Sequence, residues 1–191
     1  MIKQTEFLEK LEDCPIIAAV KDDEGLECCL ESDNSIVFIL YGDVCSIPKI
    51  TGKVKAAGKL AMVHIDLVTG LNGKEVAVDF IHQQTEADGI LTTKPALAKR
   101  AGELGMYSVL RFFVIDSMAY DNIKKQVQLV RPDVIELMPG VISPKIISRI
   151  CGLVSVPVIA GGLIADKEDI MTALGAGAVS VSTTNQGVWF L

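Results

Sequence analysis

Two short apolar runs near the end of the chain constrain its fold more than any other feature. They are Val156-Pro157-Val158-Ile159-Ala160-Gly161-Gly162 and Ala176-Gly177-Ala178-Val179-Ser180-Val181-Ser182-Thr183-Thr184. Each is too short for a helix and apolar on both faces, as a strand buried in a parallel sheet must be. The residues between them have helical spacing, so the pair reads as a strand–helix–strand unit. The first run ends in two glycines and the second in hydroxyl residues. Glycine lets a backbone approach an anion closely, and the loops after the last two strands of a (β/α)₈ barrel commonly form a phosphate cradle. Gly161, Gly162, Ser182 and Thr183 are the candidate residues.

The rest of the chain supplies six more such units. Strands are expected at Ile16–Val20, Ile36–Leu40, Leu60–Ile65, Ile90–Thr92, Tyr107–Phe113 and Val134–Leu137. A short lead-in helix over 4–13 precedes the first, and helical segments separate the others. Asp116 or Ser117, Ser143 before Pro144, and Asp166 with Asp169 are expected helix starts. Three strand approaches rhyme: Ala87-Asp88-Gly89-Ile90, Arg131-Pro132-Asp133-Val134 and Gly175-Ala176-Gly177-Ala178. Eight strands alternating with helices predict an α/β fold, a compact (β/α)₈ TIM-type barrel, as a single domain over 1–191. At 191 residues the chain is short for this architecture. Its loops must be brief and its last helix stunted. The apolar ending Val188-Trp189-Phe190-Leu191 is expected to pack on the barrel or on another subunit.

A net charge of −6 argues against a dedicated nucleic-acid binder, which needs clustered Lys and Arg. Local basic patches remain: Lys49 and Lys53, with Lys55 and Lys59, around the second connecting helix, and Lys124 and Lys125, with Arg131, along the fifth. The five cysteines are odd in number and lack metal-ligand spacing, which reads as unpaired thiols in a reducing cytoplasm. The start of the chain, Met1 to Glu6, shows no secretory pattern. No apolar run reaches the ~18 residues of a membrane span.

Ionisable residues shun buried strands, yet here they gather at strand ends. Lys21, Asp43, His64, Asp66, Lys94, Arg111, Asp116 and Glu136 should all reach the barrel mouth. His64 and Asp66 would share a face, and Arg111 and Glu136 would pair across the barrel, as a structural ion pair or as part of a ligand site. His64-x-Asp66 is also a possible two-ligand metal pair, but the second histidine, His82, falls in a helix. No triad is visible, and neither Lys21 nor Lys94 lies inside strand five or six, where a Schiff base would be sought. No catalytic residue, metal or cofactor is assigned. The inventory suits binding a small polyol phosphate. The enzyme alternative is a phosphate-binding barrel acting on a sugar or polyol phosphate, of epimerase or lyase type.

Several segments together resemble the bacterial glycerol uptake operon antiterminator regulatory proteins. They are Leu40-Tyr41-Gly42-Asp43, Val63 to Leu71 (VHIDLVTGL), Ala87 to Lys94 (ADGILTTK), Leu110 to Ser117 (LRFFVIDS), Asp133 to Gly140 (DVIELMPG), Ile159 to Ile164 (IAGGLI) and Ala178 to Thr184 (AVSVSTT). The resemblance covers nearly the full length. It implies a cytoplasmic barrel that senses glycerol 3-phosphate and, when loaded, acts on the leader mRNA of a glycerol operon to permit transcription past a terminator. By matching positions, Gly161, Gly162, Ser182 and Thr183 would hold the phosphate. Asp43, His64, Asp66, Lys94, Arg111 and Glu136 would hold or frame the polyol. A homo-oligomer would add avidity to weak RNA patches.

Overall fold

The computed structural model describes residues 2–191, with side chains from residue 6 onward; Met1, at the head of the segment read for a secretory signal, lies outside the described residues. Eight parallel strands close into a barrel in the order β1 to β8, with β8 paired back to β1. They are β1 (Ile16–Val20), β2 (Ile36–Ile39), β3 (Leu60–His64), β4 (Gly89–Thr92), β5 (Tyr107–Phe113), β6 (Val134–Met138), β7 (Val158–Gly161) and β8 (Ser180–Thr183). Helix α1 (Ile2–Asp13) precedes β1. The connecting helices are α2 (Asp23–Leu30), α3 (Ile47–Ala56), α4 (Glu75–Gln84), α5 (Pro95–Glu103), α6 (Ser117–Val130), α7 (Pro144–Leu153) and α8 (Lys167–Gly175). After β8 there is only the 3₁₀ turn Gln186–Val188, the stunted final helix expected from the length.

The expected strands all form, most with edges shifted by a residue or two. The largest shift is at the eighth, which starts at Ser180 and not at Ala176; at the third, Ile65 leaves the sheet and starts a 3₁₀ turn, Ile65–Leu67. Asp116 rather than Ser117 caps α6, its carboxylate accepting the Ala119 N–H. Asp166 accepts the Asp169 N–H at α8, and the Asp169 carboxylate accepts the Ala165 N–H in return. Ser143 makes no side-chain cap, so α7 starts on its proline alone.

The barrel interior is filled by Ile17, Ala19, Ile36, Phe38, Leu60, Met62, Leu91, Val109, Val134 and Ile159. Helix α1 plugs the amino end of this core. Its Phe7 and Leu11 are fully buried, and the Phe7 ring stacks on Tyr107 at 4.7 Å. Two of the rhyming strand approaches have one physical cause. The Asp88 carboxylate, before β4, accepts the Ala61 N–H of β3 at 2.8 Å, and the Asp133 carboxylate, before β6, accepts the Ser108 N–H of β5 at 2.9 Å. Each aspartate ties its own strand to the preceding one at the amino end, the face that serves stability in such barrels. The ending divides: Val188 and Trp189 are buried, whereas Phe190 and Leu191 are exposed.

Candidate functional site

Side chains alternate along a strand, so the residues two beyond the core layer also point inward. Met62 leads to His64, Val109 to Arg111, Val134 to Glu136 and Ile159 to Gly161. The barrel is thus apolar up to its carboxyl end and polar in its last layer. Arg111 and Glu136 stand opposite each other on the adjacent strands β5 and β6. They pair as neighbours, and not across the barrel as the sequence suggested. Arg111 Nε donates to Glu136 Oε2 at 2.6 Å, with Glu136 fully buried. Ser182 Oγ donates to Glu136 Oε1 at 2.5 Å. Ser182 lies on β8 and Glu136 on β6, so this bond passes over β7. It passes at Gly161, Ser182's register partner. A Cβ at Gly161 would collide with both Glu136 Oε1 and Ser182 Oγ.

With both its oxygens engaged, Glu136 fixes Arg111 through Nε and leaves the far end of the guanidinium available. Arg111 borders a pocket of about 360 Å³, together with Met138, Gly162, Leu163, Thr183 and Thr184. The turn after β7 has positive φ at both Gly162 (+79°) and Leu163 (+62°), which redirects the chain over the mouth. Thr183 Oγ1 donates to the Ile164 carbonyl at 2.7 Å and ties the two rim loops together. Trp189 Nε1 donates to the Thr183 carbonyl at 2.9 Å, so the buried part of the ending braces the same loop.

Asp66, His64 and Lys94 lie at the exits of β3 and β4. Asp66 Oδ2 accepts from Thr92 Oγ1, Thr93 N and Thr93 Oγ1 at 3.0, 2.7 and 3.1 Å. Lys94 Nζ stands 3.2 Å from Oδ1 as an ion pair, without hydrogen-bond alignment. Burial works against the ionised Asp66 carboxyl, but its hydrogen bonds outweigh this and hold its pKa below the ordinary value. His64 is 4% exposed, and its Nδ1 has no hydrogen-bond partner. Nδ1 lies 4.0 Å from Asp66 Oδ2. Burial first, then the Arg111 charge, lowers the His64 pKa to about 4, so the ring is neutral near pH 7.

This has a consequence for stability. Above pH 6.5 the ring is neutral in folded and unfolded chains alike. Below that, the unfolded chain takes up a proton that the folded one refuses until about pH 4. Stability should therefore fall by about 3 kcal/mol across this window relative to His64→Leu, as measured by urea unfolding at several pH values. Equal pH slopes in the two proteins would contradict a buried neutral ring.

The other predicted residues lie elsewhere or are engaged. The Asp43 carboxylate accepts the N–H groups of Cys45 and Ser46, both at 2.8 Å, and the Ser46 hydroxyl at 3.0 Å. It lines a separate pocket before α3 with Lys49 and Lys53, and Lys53 pairs with Glu27 at 2.5 Å. Lys55 is bound to Asp88 and Lys59 is buried against the Ser32 and Asn34 carbonyls, so neither adds to a basic face. Lys124 and Lys125 are exposed on α6, and Lys21 is exposed at the β1 exit. Among the described residues, no group of three His, Cys, Asp or Glu could hold a metal ion, and no helix is long and apolar enough to cross a membrane. The cysteines are unpaired; Cys45 is exposed, while burial raises the Cys29 pKa to about 11. The sequence reading passed over Thr92 and Thr93, which hold Asp66, although two hydroxyls at a strand exit beside a lysine were the available signal.

Fold and site together define a (β/α)₈ barrel whose polar chemistry is gathered at the carboxyl ends of its strands. The chain belongs to the glycerol-3-phosphate responsive antiterminator family, transcription regulators of glycerol metabolism, whose profile matches residues 16–189. It is 44% identical over 185 residues to YgcP of Escherichia coli K12, described as an uncharacterized protein, covering 97% of this chain and 96% of that one. The glycerol uptake operon antiterminator regulatory protein of Listeria monocytogenes superposes with a TM-score of 0.87 at 34% identity, covering 91% of this chain and 94% of that one. A glycerol uptake operon antiterminator-related protein of Thermotoga maritima superposes at 0.79 with 32% identity, over 91% and 96%. An aldolase and an N-acetylmannosamine-6-phosphate 2-epimerase, at 13% and 12% identity, share the fold alone.

Proposed function

We propose that this protein senses glycerol 3-phosphate at the barrel mouth and, when loaded, binds the leader mRNA of a glycerol operon to carry transcription past a terminator. The observation that carries this reading is Arg111, held by Glu136 beside a pocket rimmed by the Gly162–Leu163 turn and Thr184. A guanidinium, a glycine turn and a free hydroxyl suit a phosphate. Asp66, His64 and Lys94 supply the polyol end. Family membership supports the same ligand. Loading shifts the protein toward its RNA-binding state only by the ligand's differential affinity for that state.

The test is a phosphorus NMR titration with glycerol 3-phosphate. Saturable shift or broadening without a new species is expected. A new phosphorus resonance would mean turnover and would put an enzyme in place of a sensor; a flat titration would remove the ligand. RNA binding is tested with a glycerol-operon leader transcript, with and without the ligand. Reversing Lys49 and Lys53 to glutamate, or Lys124 and Lys125, should weaken binding about tenfold or more in one of the two pairs and flatten its salt dependence. Unchanged affinity in both would leave neither helix as the RNA face.

A further inference from the structure

Phe113, Ile115, Met118 and Val141 are 52%, 80%, 79% and 43% exposed, and all four stand at the exits of β5 and β6 or in the first turn of α6. Scattered apolar residues on a surface need no cause, but a group gathered on two neighbouring connections marks a place of contact. The same connections border a groove of about 400 Å³ between the starts of α6 and α7. Half-buried Val114, Ile142 and Ile146 form its apolar lining, and Ile115 stands on its lip. Knob and hollow therefore lie side by side on one surface.

The polar groups of the groove define what fits it. Arg149, exposed on α7, and Asp116, exposed at the cap of α6, both line it, yet they form no ion pair with each other. Among the described residues, no ion pair engages the Arg149 guanidinium at all. The Asp116 carboxylate accepts the Ala119 N–H through Oδ1, and its other oxygen is open. The patch thus offers an open positive and an open negative group beside an apolar knob and an apolar hollow. A surface that carries both halves of each complementary pair matches a copy of itself under a two-fold axis. The knob of each copy enters the hollow of the other, and each arginine meets the other's aspartate. This weighs heavily for a chain of net charge −6, whose copies repel unless opposite charges face at the point of contact. An RNA strand fits less well, since its phosphates would meet Asp116 and the exposed Asp121 of α6.

We infer that the groove between α6 and α7 is the contact surface of a two-fold symmetric dimer of this chain. Ile115 and Met118 of each copy sit against Val114, Ile142 and Ile146 of the other, and Arg149 pairs with Asp116 across the interface. The dimer does not depend on the sensor reading. It bears on that site all the same, because β5 carries both Arg111 and Phe113, so ligand pocket and contact surface share one strand.

The experiment is sedimentation velocity of the full chain from about 1 to about 100 µM, on wild type, Ile115→Glu, Arg149→Glu and Asp116→Lys. Wild type should sediment as a dimer at the upper end of that range. Ile115→Glu should weaken the dimer at least about 30-fold, because it carries a charge into the apolar hollow. Its fold should be untouched, as the side chain stands mostly in water, and urea unfolding checks this. Arg149→Glu and Asp116→Lys should each weaken their own dimer about tenfold or more, since like charges then face each other. Mixed one to one, these two variants should pair again, because both contacts of the mixed dimer set opposite charges together. Asp116→Lys also loses the cap of α6, and mixing cannot repair a lost cap, so recovery isolates the charge effect. A wild type that stays monomeric at the top of the range overturns the inference, and so does a dimer unchanged by Ile115→Glu. A mixture that fails to recover overturns the pairing of Arg149 with Asp116. If Ile115→Glu leaves the mass unchanged but weakens binding of a leader transcript, the surface belongs to RNA and not to a second copy.

Discussion

Replacing Arg111 by methionine is expected to cost about 3–5 kcal/mol of stability, because it strands a charge on a carboxylate with no exposure to water. Glu136 accepts one bond from Arg111 and one from Ser182, and the serine hydroxyl alone cannot offset a buried anion. The double replacement Arg111→Met with Glu136→Leu should recover most of the loss, since well-packed apolar side chains often match or exceed a buried ion pair. Ligand binding should be absent in both proteins. That combination, stability regained and binding still lost, separates a functional pair from a merely structural one. Urea unfolding and glycerol 3-phosphate titration of the single and double variants decide it. A single variant of near wild-type stability would mean that water or another group reaches Glu136. A double variant that still binds the ligand would make the pair a structural element and move the phosphate contact elsewhere.

Much of the barrel was legible in the sequence for one physical reason. Parallel strands covered on both faces appear as unbroken apolar runs, and helices between them carry a different period. The run Ile36-Val37-Phe38-Ile39 needs no context to be read. The concentration of charge at strand ends was legible for the complementary reason, because Arg111 and Glu136 sit inside apolar runs where charge has no place without a partner. What was not legible is register. The predicted barrel already made the fifth and sixth strands neighbours, so the expectation of a pair across the barrel did not follow from it; what the sequence lacks is the register that sets Arg111 directly opposite Glu136. Asp43 illustrates a second limit. An aspartate after a strand can reach for a ligand or for the next backbone amides, and the following Val44-Cys45-Ser46 does not decide between them; the structure shows the amides taken. The amino-end clamps at Asp88 and Asp133 were visible only as a rhyme. Their cause needed the three-dimensional pairing of each strand with the preceding one.

Gly161 is the residue whose meaning changed most, and its replacement carries the second large effect. The glycine pair was read as a place where backbone meets phosphate. For Gly162, with φ of +79°, the turn itself calls for glycine. For Gly161 the reason differs: its missing side chain is the gap through which Ser182 reaches Glu136. Gly161→Ala would place a methyl group against both partners of that bond, and should cost about 3 kcal/mol through overpacking and the loss of a hydrogen bond to a charged group. Glycerol 3-phosphate affinity should fall with it, because Glu136 then no longer sets the Arg111 guanidinium. The diagnostic is a double-mutant cycle. Ser182→Ala alone removes the hydroxyl and should destabilise the protein by leaving Glu136 Oε1 unpaired. In the Gly161→Ala background the same change removes part of the clash and should cost much less, or become stabilising. A coupling of at least about 1 kcal/mol with that sign is expected. Additive effects would show that Gly161 is required for the backbone path of β7 rather than for the space above it, and the Ser182–Glu136–Arg111 chain would then be held together by register alone.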